Sequence, residues 1–242
     1  MSSLAYLHPD NVGFPNPELA LSEPEGLLAA GGDLTPEWLV EAYALGIFPW
    51  FERDEDPIYW WSPAERAVMK PGSMRVTRSL SKRIRNAGFR VSFDCGFDLV
   101  IEACARSRAA SFGTWITPKM QAAYCELHHC GVAHSVEIWQ AEDLVGGLYG
   151  VSLGSMFFGE SMFSTQADAS KIAFYHLDQR LQAWDFTLLD CQMMTPHLAS
   201  LGVAPMARAD FMQLLQHNDL GQTRLGCWQL DNSALMPQER YS

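Results

Sequence analysis

The stretch Leu144–Phe163, LVGGLYGVSLGSMFFGESMF, constrains the fold more than any other part of the chain. Its dense aliphatic and aromatic residues, punctuated by glycine, read as strands that must be buried. The run AHSVEIWQ precedes it, and a turn around Ala141–Asp143 makes the two an antiparallel hairpin. FRVSFD gives a further strand. FDLVIEACARS, TPKMQAAYCELHHCG and ADASKIAFYHLDQRLQAW have helical periodicity, the second with Thr117 as N-cap, Pro118 in the first turn and Gly131 as its stop. FTLLDCQMM then reads as a strand and ARADFMQLLQ as a closing helix. This order predicts an α/β (α+β) domain, a mixed sheet with flanking helices and a strand–helix–strand unit over 144–194.

The first third is different. GDLTPEWLVEAYALGIFPWF predicts one short helix, with Thr35 as N-cap, Pro36 in the first turn and Gly46 past its end; the remainder is Trp/Pro-rich and loop-like. The polar FERDEDP and SPAER segments suggest a small N-terminal domain over 1–65 and a larger domain over 66–242.

Charge is unevenly distributed along the chain. The chain carries a net charge of −11, yet eight of its 17 Lys and Arg lie between Arg66 and Phe93, where there is no acid. These are Arg66, Lys70, Arg75, Arg78, Lys82, Arg83, Arg85 and Arg90. A helix over 77–87 places Leu80 and Ile84 on one face and Arg78, Lys82 and Arg85 on another. An anion-binding surface on an acidic body is the expectation, with phosphate as its partner. Apolar residues at 48% and charged residues at 19% mark a globular chain. The start has no basic or apolar leader pattern, and no run of about 18 apolar residues occurs. A soluble, cytoplasmic protein with its six cysteines reduced is expected, with no membrane partner. Cys125, His128, His129 and Cys130 sit at the end of one helix, whereas a closed zinc site gathers ligands from separate segments. No metal is expected.

Around LLDCQ, strand alternation sends Asp190 and Gln192 to one face and Cys191, with Leu189, to the other. His197 lies beyond Pro196, so a Cys–His nucleophile pair is disfavoured. Glutamine has no usable basicity, but its carbonyl accepts from an amine N–H while its NH₂ is held by a carboxylate, here Asp190. The alternative is a strand-end polar pair satisfying loop backbone, which the local sequence alone favours. Glu160, an acid inside an apolar strand, is either paired internally or faces a cleft.

The motifs GLLAAGGDL, GIFPWF, WWSP, GTWIT, LVGGLYGV, FGESMFS, ASK, LLDCQ and HLASLG occur in that order. Across roughly Phe14–Leu215 the sequence resembles the bacterial leucyl/phenylalanyl-tRNA–protein transferases. The resemblance implies cofactor-free transfer of Leu, Phe and, less readily, Met from aminoacyl-tRNA to the N-terminal Arg or Lys of a protein. The product would be an N-degron. It implies a small N-terminal domain on a catalytic domain similar to the GCN5-related N-acetyltransferase fold. Asp190 and Gln192 fall at the family's proposed catalytic pair, and Trp50, Trp115, Tyr124 and Glu160 at cleft positions. Leu148, Phe157, Leu177, Leu181 and Leu189 fall where the family builds the aminoacyl side-chain pocket.

The aminoacyl ester is already activated, so the reaction needs positioning more than a covalent intermediate. Gln192 would orient the attacking amine, Trp50 or Trp115 would stack on the terminal adenine, and Glu160 would bind either the acceptor's cationic group or the ribose. Arg78, Lys82, Arg83 and Arg85 would meet acceptor-arm phosphates. Two rivals are a non-catalytic tRNA or N-degron binding module and an acyl-CoA-dependent N-acyltransferase. The second is weakened by SMFSTQADASK, a helix entrance with no glycine to cradle pyrophosphate.

Overall fold

The computed structural model describes residues 4–109 and 114–229. In chain order the first elements are β1 (Ala5–Leu7), β2 (Leu27–Gly31), α1 (Pro36–Ala44), β3 (Phe48–Pro49), β4 (Tyr59–Trp61), β5 (Glu65–Met69), α2 (Arg78–Asn86), β6 (Arg90–Phe93) and α3 (Phe97–Ala109). Then follow α4 (Pro118–His129), β7 (Ala133–Gln140), β8 (Asp143–Leu153), β9 (Met156–Ser164), α5 (Ala169–Ala183), β10 (Leu188–Asp190), α6 (Pro196–Leu201), β11 (Ala204–Ala207) and α7 (Arg208–Gln216).

The larger sheet is mixed, with strand order β11-β5-β10-β9-β8-β7-β6 and helices on both faces. The apolar run that dominates the sequence divides at Gly154, whose φ of 58° makes the β8–β9 turn. Strands β6 to β9 form an antiparallel meander; α5 then carries the chain across to β10, which lies parallel to β9. Along one face α5 buries Ile172, Phe174, Leu177 and Leu181 with Phe157 and Leu189. On the other face α3 and α4 pack Val100, Ile101, Met120 and Leu127, and that core continues without a break into Trp38, Tyr43 and Trp60 of the first third.

The first third is therefore not loop-like. It forms a second sheet, in order β1-β2-β4-β3. Its strands are two to five residues long, too short to show a period-2 pattern in sequence. Helix starts follow local chemistry: Thr77 Oγ1 accepts from Leu80 N at 3.2 Å, and Thr117 Oγ1 from Met120 N at 3.3 Å. Thr35 precedes α1 in the expected place but makes no such side-chain bond. Gly46, at φ 70°, lets the chain leave α1 in a space where a Cβ would come within 2.8 Å of Leu215 and Phe211. No helix among the described residues is long and apolar enough to cross a membrane.

Candidate active site

The site lies where two parallel strands separate. Strand β10 pairs with β9 only from Leu188↔Met156 to Asp190↔Phe158. Beyond Asp190 the chain stays on β5, with Cys191 N donating to Ala67 O and Ala67 N to Gln192 O, while β9 continues paired with β8. The gap past the carboxyl ends of parallel strands is the usual place for a binding crevice in such sheets. Here it is a cavity of about 250 Å³, with Leu148, Phe174, Leu177 and Leu189 among its apolar wall and Gln192 and Glu160 among its polar one.

A β-bulge aims Glu160 into this gap. Tyr149 pairs with Ser161 and the next residue, Gly150, with Gly159, so Glu160 is the extra residue on its strand. The facing position must be glycine, because a Cβ on Gly150 would lie 2.2 Å from Phe158 O. Glu160 Oε1 accepts from Tyr43 Oη at 2.6 Å and from Gln192 Nε2 at 2.6 Å, and Oε2 accepts from Tyr124 Oη at 3.0 Å. The two tyrosine oxygens are themselves 2.5 Å apart.

Three contacts link Tyr43 Oη, Tyr124 Oη and the carboxyl group, and two phenols supply only two protons. In the neutral form of Glu160 a third proton, on Oε2, reverses the Tyr124 contact and completes a ring: the carboxyl donates to Tyr124, Tyr124 to Tyr43, and Tyr43 to Oε1. Oε1, then a carbonyl oxygen, also holds the Gln192 amide. Burial pushes the Glu160 carboxyl up to about 7, aided by the Asp190 charge and opposed by the hydrogen bonds from Tyr43, Tyr124 and Gln192. Burial foremost, then the charge of Glu160, holds both phenols well above their usual range.

Asp190 acts behind the cavity wall. It pairs with Arg66 in a two-pronged contact, both side chains buried, with Arg66 Nε 3.3 Å from Oδ1 and Nη2 on Oδ2. Arg66 also donates to Gly46 O at 3.0 Å and lies between the Phe48 and Phe211 rings. This corrects two expectations: Arg66 belongs to no anion-binding surface, and the Gln192 NH₂ is held by Glu160 rather than by Asp190. What Asp190 holds is the Gln192 backbone N–H, at 2.9 Å, in a turn that sets Gln192 at φ 63°. That left-handed residue ends the strand periodicity, so the expected alternation fails. Leu189, Cys191 and Gln192 all line the cavity, and Asp190 does not. Burial pushes the Cys191 thiol far up, away from thiolate. His197 also reaches the wall, but no hydrogen bond joins it to Cys191.

Trp50 and Trp115 line the cavity, as do Leu148, Leu177 and Leu189. Tyr124 stands behind Glu160, while Phe157 and Leu181 lie fully buried in the core beyond the wall. Residues that sequence reasoning did not find are Tyr43, delivered from the first third by α1, and Arg108 and Ser161 in the wall. On α2, Arg78, Lys82 and Arg85 are exposed. Arg83 instead turns inward, donating to Ala167 O at 3.3 Å and packing on Phe89. Cys125 Sγ donates to Asp98 at 3.2 Å and His128 bonds Ala133 O at 2.8 Å, so that cluster does not converge.

A buried polar relay beside an apolar pocket, with no thiolate in its wall, suits transfer of an activated acyl group by positioning. Comparisons name the class. Residues 68–216 match the family model described as "Leucyl/phenylalanyl-tRNA protein transferase", and residues 32–64 match the model of that family's N-terminal domain. A relative from Chromohalobacter salexigens, named leucyl/phenylalanyl-tRNA–protein transferase, is 59% identical over 88% of this chain and 82% of its own. Relatives of the same name from Shewanella woodyi and Shewanella halifaxensis are 52% and 50% identical, covering 89% and 94% of this chain and 91% and 96% of theirs. The chain belongs to the leucyl/phenylalanyl-tRNA–protein transferase family and is an aminoacyltransferase whose donor is aminoacyl-tRNA. A solved L-PGS from Bacillus licheniformis superposes over 67% of this chain and 52% of that one at 11% identity, with a TM-score of 0.41 that carries no argument.

Proposed function

We propose that this enzyme moves Leu, Phe and, less readily, Met from aminoacyl-tRNA to the α-amine of an N-terminal Arg or Lys, marking the acceptor as an N-degron substrate in the cytoplasm. Residues 66–242 carry the chemistry, and 1–65 form the smaller domain that brings α1 to it. The observation carrying the reading is the Gln192 amide, clamped by Glu160 at 2.6 Å on the wall of an apolar cavity. With its NH₂ engaged, the Gln192 carbonyl is left to accept from the incoming amine. An α-amine has an ordinary pKa near 8, so it needs orientation more than a strong base. Its nitrogen attacks the ester carbonyl, the C–N bond forms, and the bond to the ribose oxygen breaks. The amine proton passes to that oxygen.

Leu148, Leu177 and Leu189 would hold the aminoacyl side chain, and Trp50 and Trp115 the terminal adenine. Arg78, Lys82 and Arg85 would meet acceptor-arm phosphates, contacts that carry no sequence information and so admit several tRNAs. Arg83, spent on Ala167 O, supports that helix and offers less to phosphate. The test is incubation with labelled Leu-tRNA and peptides differing only in the first residue. Label is expected in Arg- and Lys-terminated peptides and absent from an Ala-terminated one. Equal labelling of all three would refute the acceptor assignment.

A further inference from the structure

Arg108 stands apart from the groups used above. It lies in the last turn of α3, is exposed, and among the described residues lining the cavity is the one permanent cation. Its Nε donates to Ser161 Oγ at 3.0 Å, and its guanidinium carbon lies 5.7 Å from the Trp115 ring centroid, within cation–π range. This tether uses the inner N–H and fixes the guanidinium plane. The two Nη nitrogens meet no carboxylate or carbonyl among the described residues, so they form an open fork. The only acid in the described wall, Glu160, has its oxygens engaged by Tyr43, Tyr124 and Gln192 and does not neutralise it. A tethered guanidinium that meets no carboxylate among the described residues, beside the Trp115 indole, is suited to an external anion attached to a planar ring.

The two substrates differ in sign. An acceptor with an N-terminal Arg or Lys brings positive charge and is repelled by Arg108; the RNA end brings phosphates. A base resting on Trp115, whose ring centroid lies 5.7 Å from the guanidinium carbon, carries its 5′-phosphate one ribose away, on the scale of the fork's reach. We propose that Arg108 binds the 5′-phosphate of the terminal nucleotide of the aminoacyl-tRNA, which makes the Trp115 side of the cavity the donor side. The proposal rests on the donor reading above and adds a contact separate from the basic face of α2.

The experiment uses the full chain, an Arg-terminated peptide, and two short donors: 3′-O-leucyl-adenosine with and without a 5′-phosphate. With wild-type enzyme the phosphate should lower the donor KM by about tenfold or more. Arg108→Ala should abolish that advantage while leaving the KM of the unphosphorylated donor nearly unchanged. Arg108→Lys should keep part of it, and Ser161→Ala, which releases the Nε tether but keeps the charge, should reduce it. If the alanine variant fails to fold, the Lys and Ser161 variants carry the comparison. An advantage that survives Arg108→Ala, or is absent in wild type, overturns the proposal. Failure of wild type to transfer leucine even from Leu-tRNA would instead overturn the functional reading itself.

Discussion

Replacing Glu160 by glutamine separates a neutral positioning role from a charged one. In its neutral form Glu160 donates one proton to Tyr124 and accepts, through Oε1, from Tyr43 and Gln192 at 2.6 Å each. A glutamine amide reproduces every contact: its NH₂ replaces the donor and its carbonyl replaces Oε1. Glu160→Gln should therefore keep kcat/KM within about threefold of wild type, less than 1 kcal/mol of barrier. Glu160→Ala deletes the Gln192 clamp and leaves a buried phenol without an acceptor. It should lose about 10- to 100-fold in kcat, the worth of one charge-free to charge-assisted positioned hydrogen bond.

Stability gives a second, independent reading. With the carboxyl pushed to about 7 from an ordinary value of 4.5, the folded state holds a proton that the unfolded chain releases between those values. The stabilisation is full below about pH 4.5 and is lost as pH rises through 7, a change of about 3 kcal/mol. Glu160→Gln has no such proton, so its denaturation midpoint should match wild type near pH 4.5 and exceed it at pH 8. Rates come from leucyl transfer to an Arg-terminated peptide and stabilities from urea melts across pH. A loss of about 10²–10⁴-fold in Glu160→Gln, the size expected for a missing general base, would refute the neutral role. So would a melting profile with the same pH dependence as wild type.

Asp190→Ala leaves Arg66 buried without its partner and should cost about 3–5 kcal/mol of stability. Asp190→Asn keeps the acceptor for Gln192 N–H and should retain more kcat than the alanine variant; equal kcat in the two folded variants would argue against the turn as the point of action. Charge reversal at Arg78, Lys82 and Arg85 should raise KM for Leu-tRNA and leave a leucyl-adenosine donor unaffected, and equal losses with both would remove the helix from the tRNA path. Cys191→Ser should stay within about threefold of wild type in kcat, because the thiol is held protonated; inactivation with normal folding would restore a nucleophilic cysteine.

The meander, the β9–α5–β10 crossover and helices α2 to α5 were legible because each is long enough to show a period, and α2 and α4 also carry their own N-caps. The first-third sheet was not, since strands of two to five residues show no period and depend on pairing with distant segments. The pocket leucines and the two tryptophans followed from the family resemblance rather than from spacing. Three site features had no local signature. The bulge at Glu160 depends on register with β8, the Asp190 turn depends on Arg66 held 124 positions away, and Tyr43 enters from another sheet's helix. Alternation misplaced Cys191 for the same reason: it presumes a strand that continues, and Gln192 at φ 63° ends it.

The central claim is that Gln192 orients the amine and does little for donor binding. The most direct measurement is the single-turnover rate of leucyl transfer from Leu-tRNA to an Arg-terminated peptide by Gln192→Ala, with donor Kd determined on the same preparation. The account predicts a fall of about 100-fold in rate with donor Kd within about twofold of wild type. A weakened Kd with an unchanged rate on the saturated enzyme would contradict it.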